Sequence, residues 1–182
     1  MNTNLKFTAL IIISGLVLSI TSAAQDNDVT PELEIEKANI TKKEFLEKDP
    51  GLSKFFDESY GYAVLPAVGK GGLIVGGALG KGVVYKGDNP VGMTEMTQVT
   101  VGAQIGGKSY SEIIFLKSEA EYNVFVTGRY EVAAQISAVA ITEGVSKELD
   151  YSDGVIIVTM DKGGLMAEVS VGGQKFKYKE LD

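Results

Sequence analysis

Two hydrophobic periods divide this chain. From Thr30 to about Ser59 apolar and polar positions recur at helical spacing, and beyond Tyr60 they alternate every second residue. Thr30-Pro31-Glu32 reads as a helix start, with Thr as N-cap, Pro at the first helical position and an acid in the first turn. Leu33, Lys37, Ile40, Glu44 and the pair Phe45-Leu46 predict an amphipathic helix, restarted at the capping box Thr41-Lys42-Lys43-Glu44. Asp49-Pro50-Gly51 ends it, and Leu52-Ser53-Lys54-Phe55-Phe56 opens a second short helix running to about Ser59.

The second half of the pattern is strand-like. Val99, Val101, Ala103 and Ile105 alternate with Gln98, Thr100, Gly102 and Gln104, and Phe176 and Tyr178 alternate with Lys175, Lys177 and Lys179. The spacing predicts about eight strands, at 60–66, 72–86 (bent), 95–106, 110–117, 130–142, 155–161, 165–172 and 174–179. A capping box at Ser118-Glu119-Ala120-Glu121 starts one helix among them, and Asp161-Lys162-Gly163-Gly164 and Gly172-Gly173 read as hairpin turns. The expected fold is α+β and mainly β: N-terminal helices plus a strongly curved antiparallel sheet or partly closed barrel. Glycines inside the strands permit the bends.

The first residues read as an address label. Lys6 precedes an uncharged stretch centred on Leu10-Ile11-Ile12-Ile13-Ser14-Gly15-Leu16-Val17-Leu18, and Thr21-Ser22-Ala23-Ala24 supplies small residues before polar Gln25-Asp26. That is the layout of a secretory signal peptide, cut after Ala23 or Ala24. The expectation is a leader over 1–24 and a single domain over 25–182, in the periplasm or cell envelope. An uncleaved anchor is the alternative. The run from Phe7 to Ile20 is about 21 Å long as a helix, short of the roughly 30 Å hydrocarbon core.

Composition narrows the chemistry. The 182 residues include no Cys and no His, which removes disulfides, thiolate or imidazole metal sites, cysteine nucleophiles and a Ser-His-Asp triad. Any catalysis would rest on Asp, Glu, Lys, Ser, Thr or Tyr. The net charge of −7 makes the chain a poor ligand for nucleic acid, whose binding depends on neutralising phosphates. Losing residues 1–24 removes only Lys6 from the charged side chains and makes the domain more acidic still.

Gly102-Ala103-Gln104-Ile105-Gly106-Gly107-Lys108-Ser109 fits the Walker A spacing, but a phosphate-binding loop needs a helix directly after its lysine. Tyr110-Ser111-Glu112-Ile113-Ile114-Phe115 is strand-like, so the stretch reads as a glycine hairpin and no nucleotide is expected. The block from Gly69 to Gly82 reads as a bent strand whose small residues permit close approach. Its functional alternative is an anion contact by backbone amides with Lys70 or Lys81. In the helical lead, Lys37, Lys42, Lys43, Lys48 and Lys54 stand beside Phe45, Phe55 and Phe56. That suits an amphipathic element lying on an anionic membrane, but Glu32, Glu34, Glu36, Glu44 and Glu47 dilute the positive charge and favour an apolar stripe packed on the sheet with solvated lysines.

One longer pattern is more specific. Ser59-Tyr60-Gly61-Tyr62-Ala63-Val64-Leu65-Pro66, Gly76-Gly77-Ala78-Leu79-Gly80-Lys81-Gly82, Tyr110-Ser111-Glu112-Ile113-Ile114-Phe115 and Gly172-Gly173-Gln174-Lys175-Phe176 stand in that order. Together they resemble the SYLF family of lipid-binding domains, over about Lys42 to Tyr178. The resemblance implies a glycine-rich antiparallel β structure with N-terminal helices, phospholipid association and no cofactor. It places phosphate contact on the helical lead and nearby lysines, here Lys42, Lys43, Lys54, Lys70 and Lys81, with Phe45, Phe55 and Phe56 as apolar partners. The Trp-Ser stretch of eukaryotic members is replaced by Asn89-Pro90-Val91-Gly92-Met93, so actin binding and phosphoinositide selectivity are not carried over. The expected function is a non-enzymatic module on anionic phospholipid; the alternative is a structural protein with an envelope-protein partner and no lipid ligand.

Overall fold

A computed structural model of the chain describes residues 30–72, 75–101, 108–162 and 171–182. The leader at 1–24, most of the strand expected at 165–172 and the glycines of the Walker-like stretch lie outside those residues.

Helix α1 spans Pro31–Lys48, with Thr30 as an extended N-cap, Glu32 and Glu34 in the first turn and Lys48 in the last, each on the favourable end of the helix dipole. It is continuous through Thr41, which is buried and caps nothing. Its buried stripe is Glu34, Ala38, Thr41 and Phe45, so Leu33 and Ile40 are 43% and 53% exposed. The expected stripe through Leu33 and Ile40 is therefore turned outward. The reason is long-range: Tyr85 Oη donates to Asn39 Oδ1 at 3.0 Å and Lys42 Nζ donates to Tyr62 Oη at 2.9 Å, which fixes the rotation. After a 3₁₀ turn at Pro50–Leu52, α2 spans Ser53–Glu58 and buries Phe55 and Phe56.

The strands are β1 (Gly61–Gly72), β2 (Val75–Lys86), β3 (Asn89–Val101), β4 (Lys108–Leu116), β5 (Tyr130–Glu131), β6 (Val139–Ala140), β7 (Val155–Asp161) and β8 (Lys175–Glu180). A capped helix, α3 (Glu119–Val124), follows β4. Among the described residues all the strands join one sheet in the order β5-β8-β3-β2-β1-β4-β7-β6, antiparallel except for the parallel pair β6–β7. The sheet is mainly antiparallel and curled into a half barrel. β3 and β4 are separated by β2 and β1, so the link between them is not a hairpin between neighbours, as the glycine pattern suggested.

Topology explains the curl. β5 and β6 lie on opposite edges of the sheet, yet only residues 132–138 join them. A flat eight-stranded sheet would be about 34 Å wide at roughly 4.8 Å per gap. The joining chain reaches about 28 Å at most. The sheet must bend, and the expected 130–142 strand is broken because its middle crosses the concave side, burying Val132, Ile136 and Ala138 there. A bulge at Leu65–Val68 bends β1 further. It brings the Val64 carbonyl so close to Gly82 that any Cβ at that position would collide with it.

The two faces have separate cores. The concave face packs Leu65, Met96, Ile114, Phe125, Ile157 and Phe176. The outer face packs Phe45, Phe55, Phe56, Tyr62, Tyr85 and Phe115 beneath α1 and α2. Phe56 meets Phe115 and Tyr62 edge-on, with ring centroids 4.9 and 5.0 Å apart.

Candidate functional site

The residues singled out in the sequence do not converge. Phe45, Phe55 and Phe56 are 0%, 3% and 6% exposed and belong to the core under the helices. Lys42 faces inward: its Nζ lies 2.9 Å from Asp88 Oδ1, 2.9 Å from Tyr62 Oη and 4.6 Å from the centre of the Phe56 ring. Partial burial opposes its charge, but the bonds to Tyr62 and Asp88 prevail and hold the amine above its ordinary pKa. Lys43 is exposed beside Glu47 at 3.7 Å, and Lys54 is exposed near the Phe55 ring at 5.6 Å. Lys70 acts electrostatically on Glu112, a concave-side residue of β4. Lys81 lies on the outer face.

That outer face is only partly covered by α1. Strand register pairs Lys81 with Glu95 and Glu95 with Lys177; the next row pairs Leu79 with Thr97 and Thr97 with Lys175. Met93 pairs with Lys179 in the row on the other side. Directly paired residues share a face. Lys81, Lys175, Lys177 and Lys179 thus project around the carboxylate of Glu95, with Lys175 also paired to Glu131 of β5 at 3.6 Å, in a chain whose net charge is −7. Leu79 and Val99, on the same face, are 68% and 78% exposed.

A cleft of about 370 Å³ runs between α1 and this face, lined by Lys37, Pro66, Leu79, Lys81, Glu95 and Met96. Glu34 pairs with Lys37 at 2.8 Å along its rim. Beside Leu79 the floor is bare: a Cβ added at Gly69 or Gly71 would touch nothing. Above it, the outward side of α1 carries Leu33, Lys37, Ile40 and Lys43. The combination is amphipathic, with lysine amines to meet anions and aliphatic side chains that water leaves unsatisfied.

Sequence reasoning found Lys81 and missed the lysines of β8. Their signal was present in the alternation of Lys175, Lys177 and Lys179 with Phe176 and Tyr178, which puts one sign of charge on one face of a strand. It was read only as a strand.

A second polar cluster lies on the concave side. Glu112, Tyr110 and Gln174 are all 0% exposed. Gln174 Nε2 donates to Glu112 Oε2 at 2.9 Å and to Tyr110 Oη at 3.3 Å. Burial pushes the Glu112 carboxyl up to about 7, against the opposing effects of Gln174 and Lys70. Burial likewise raises the Tyr110 phenol. Neither cluster holds an activated nucleophile beside a base. Among the described residues no group of three or more acidic side chains is placed to hold a metal, and no helix is long and apolar enough to cross a membrane.

The fold and these surfaces define a helix-led β half barrel with one open amphipathic face. No protein-family model matches the chain. A stretch of 130 residues, 71% of the chain, is 28% identical to Beta cell expansion factor A of Aeromonas veronii. It covers 49% of that protein, so the chain spans about half the length of this relative.

Proposed function

We propose that the chain is a non-enzymatic, exported module that associates with anionic phospholipid head groups through the open outer face of β2, β3 and β8. The observation that carries this reading is the grouping of Lys81, Lys177 and Lys179 around Glu95, with Lys175 beside them paired to Glu131, on the face that exposes Leu79 and Val99. Each lysine near an anionic surface contributes about 1 kcal/mol, and aliphatic insertion adds to it. The resemblance of the glycine-rich stretches to the SYLF family supports the same reading. The helical lead contributes its outward residues, Lys37 and Lys43 with Leu33 and Ile40, while its phenylalanines hold the core. The acidity of the remaining surface opposes binding, so association is modest and weakens with salt.

Co-sedimentation of the protein with phosphatidylglycerol-containing and purely phosphatidylcholine vesicles tests this. The expected result is pelleting with the anionic vesicles alone, lost on joint charge reversal of Lys81, Lys177 and Lys179. Pelleting with neither vesicle overturns the reading in favour of an envelope protein partner. Unchanged pelleting of the charge-reversed variant removes this face as the site.

A further inference from the structure

β8 and β4 are not neighbours. Three strands lie between them, which in a flat sheet would set them about 19 Å apart. Gln174, the residue before β8, nevertheless hydrogen-bonds Glu112 of β4 at 2.9 Å. One buried amide therefore spans the concave side of the half barrel.

The contact is incompletely satisfied. Glu112 Oε1 and Gln174 Oε1 are buried and have no hydrogen-bond partner. Charged or titratable groups on the carboxyl's side of the sheet among the described residues include Lys70 of β1, Tyr110 of its own strand and Asp161 of β7, which pairs with Tyr110. β8 brings the uncharged Gln174, β3 brings Gln98 (whose Nε2 donates to the Gly172 carbonyl at 2.9 Å), β7 brings Thr159 and β1 also brings Leu65. The Gln174 donor and Lys70 by themselves favour the carboxylate, but complete burial outweighs them and favours the neutral acid. A carboxylate with one oxygen undonated does not suit that setting, because burying a charge without full hydrogen bonding is costly.

We infer that Glu112 and Gln174 form a proton-operated latch: the neutral acid holds β8 across the concave face, and its ionisation releases β8 and exposes the apolar interior. This does not rest on the lipid reading. The released surface is the concave core around Met96, Ile114 and Phe176, distinct from the lysine-bearing outer face.

The sign follows from linkage. An unfolded glutamate titrates near 4.5, whereas the closed state keeps its proton to about 7. The latch's contribution is complete below the lower value and is lost as pH rises through the upper one. Between the two values each further pH unit makes opening about tenfold more populated, and above about 7, where both states are ionised, the increase levels off.

Hydrogen exchange of the β8 amides from about pH 5 to about pH 9, in the wild type and in Glu112→Gln, reads this directly. The expected result is a wild-type-to-variant exchange ratio that climbs about tenfold per unit from about pH 5 and levels off at the midpoint near 7. A constant ratio overturns the latch. Infrared spectroscopy of the wild type is independent of how the variant folds. A protonated carboxyl band that disappears with the same midpoint supports the proposal, and the absence of that band in mildly acid solution overturns it.

Discussion

Lys42 on α1 and Tyr62 on β1 are joined by a 2.9 Å hydrogen bond, with the amine also held over the Phe56 ring. A lysine whose sequence context suggested a lipid phosphate thus pins the helix to the sheet. Its ion pair with Asp88 contributes little by comparison, because Asp88 is 93% exposed and solvent screens the pair.

Lys42→Met is expected to lower stability by about 1–2 kcal/mol, through the lost hydrogen bond at the buried Tyr62 side chain and the lost cation–aromatic contact. Asp88→Ala is expected to stay within about 0.5 kcal/mol of wild type. Urea unfolding of both variants measures the difference; equal losses would make the ion pair the principal tie.

Leu79→Ser and Val99→Ser should leave stability within about 0.5 kcal/mol, since both side chains lie in solvent, yet weaken pelleting with anionic vesicles. Phe45→Ala should cost about 3–5 kcal/mol by opening a cavity under α1. Thermal unfolding paired with co-sedimentation separates the two classes of residue.

Glycines in one sheet are expected to behave oppositely. Gly82→Ala drives a methyl into the Val64 carbonyl and Leu65, and should lower stability by more than about 2 kcal/mol. Gly69→Ala meets open space and should be neutral or stabilise by a few tenths of a kcal/mol through reduced chain entropy. Chemical denaturation of the two variants is sufficient to compare them.

Ser118 caps α3 by accepting the Ala120 amide at 3.1 Å, while Glu121 returns a carboxylate to the Ser118 amide at 3.0 Å. The Ser118 hydroxyl is the main cause of the lowered Glu121 pKa. That contribution is present above the ordinary glutamate range and is lost as pH falls through the depressed value. Ser118→Ala is expected to cost about 1 kcal/mol and to return Glu121 toward its usual titration, as read by carboxyl NMR.

Much of this architecture was legible where it depends on adjacent residues. Thr30-Pro31 began α1, Ser118 to Glu121 capped α3, and alternation set Gln98 and Val99 on opposite faces of a strand, although it is Gln98 that is buried and Val99 that is exposed. Lys81 was recognised, but not its company, because Lys177 is brought to it through Glu95 by strand order and not by spacing. The rotation of α1 was misread for a related reason. Leu33 and Ile40 have the right period for burial, yet the tyrosines of β1 and β2 bind Asn39 and Lys42 and turn those residues outward.

Hydrophobic period, caps and glycine positions encode short-range preferences, and these are carried in the amino-acid order: a helical lead, then strands bent at their glycines. Which strands become neighbours is a contest between long-range closures. The crossing of residues 132–138, the exile of β4 from β3 and the meeting of Glu112 with Gln174, 62 positions later, are settled only when the whole sheet curls. A chain segment too short to cross a flat sheet and a buried acid in need of a donor impose that outcome together, and neither constraint exists until the strands have assembled.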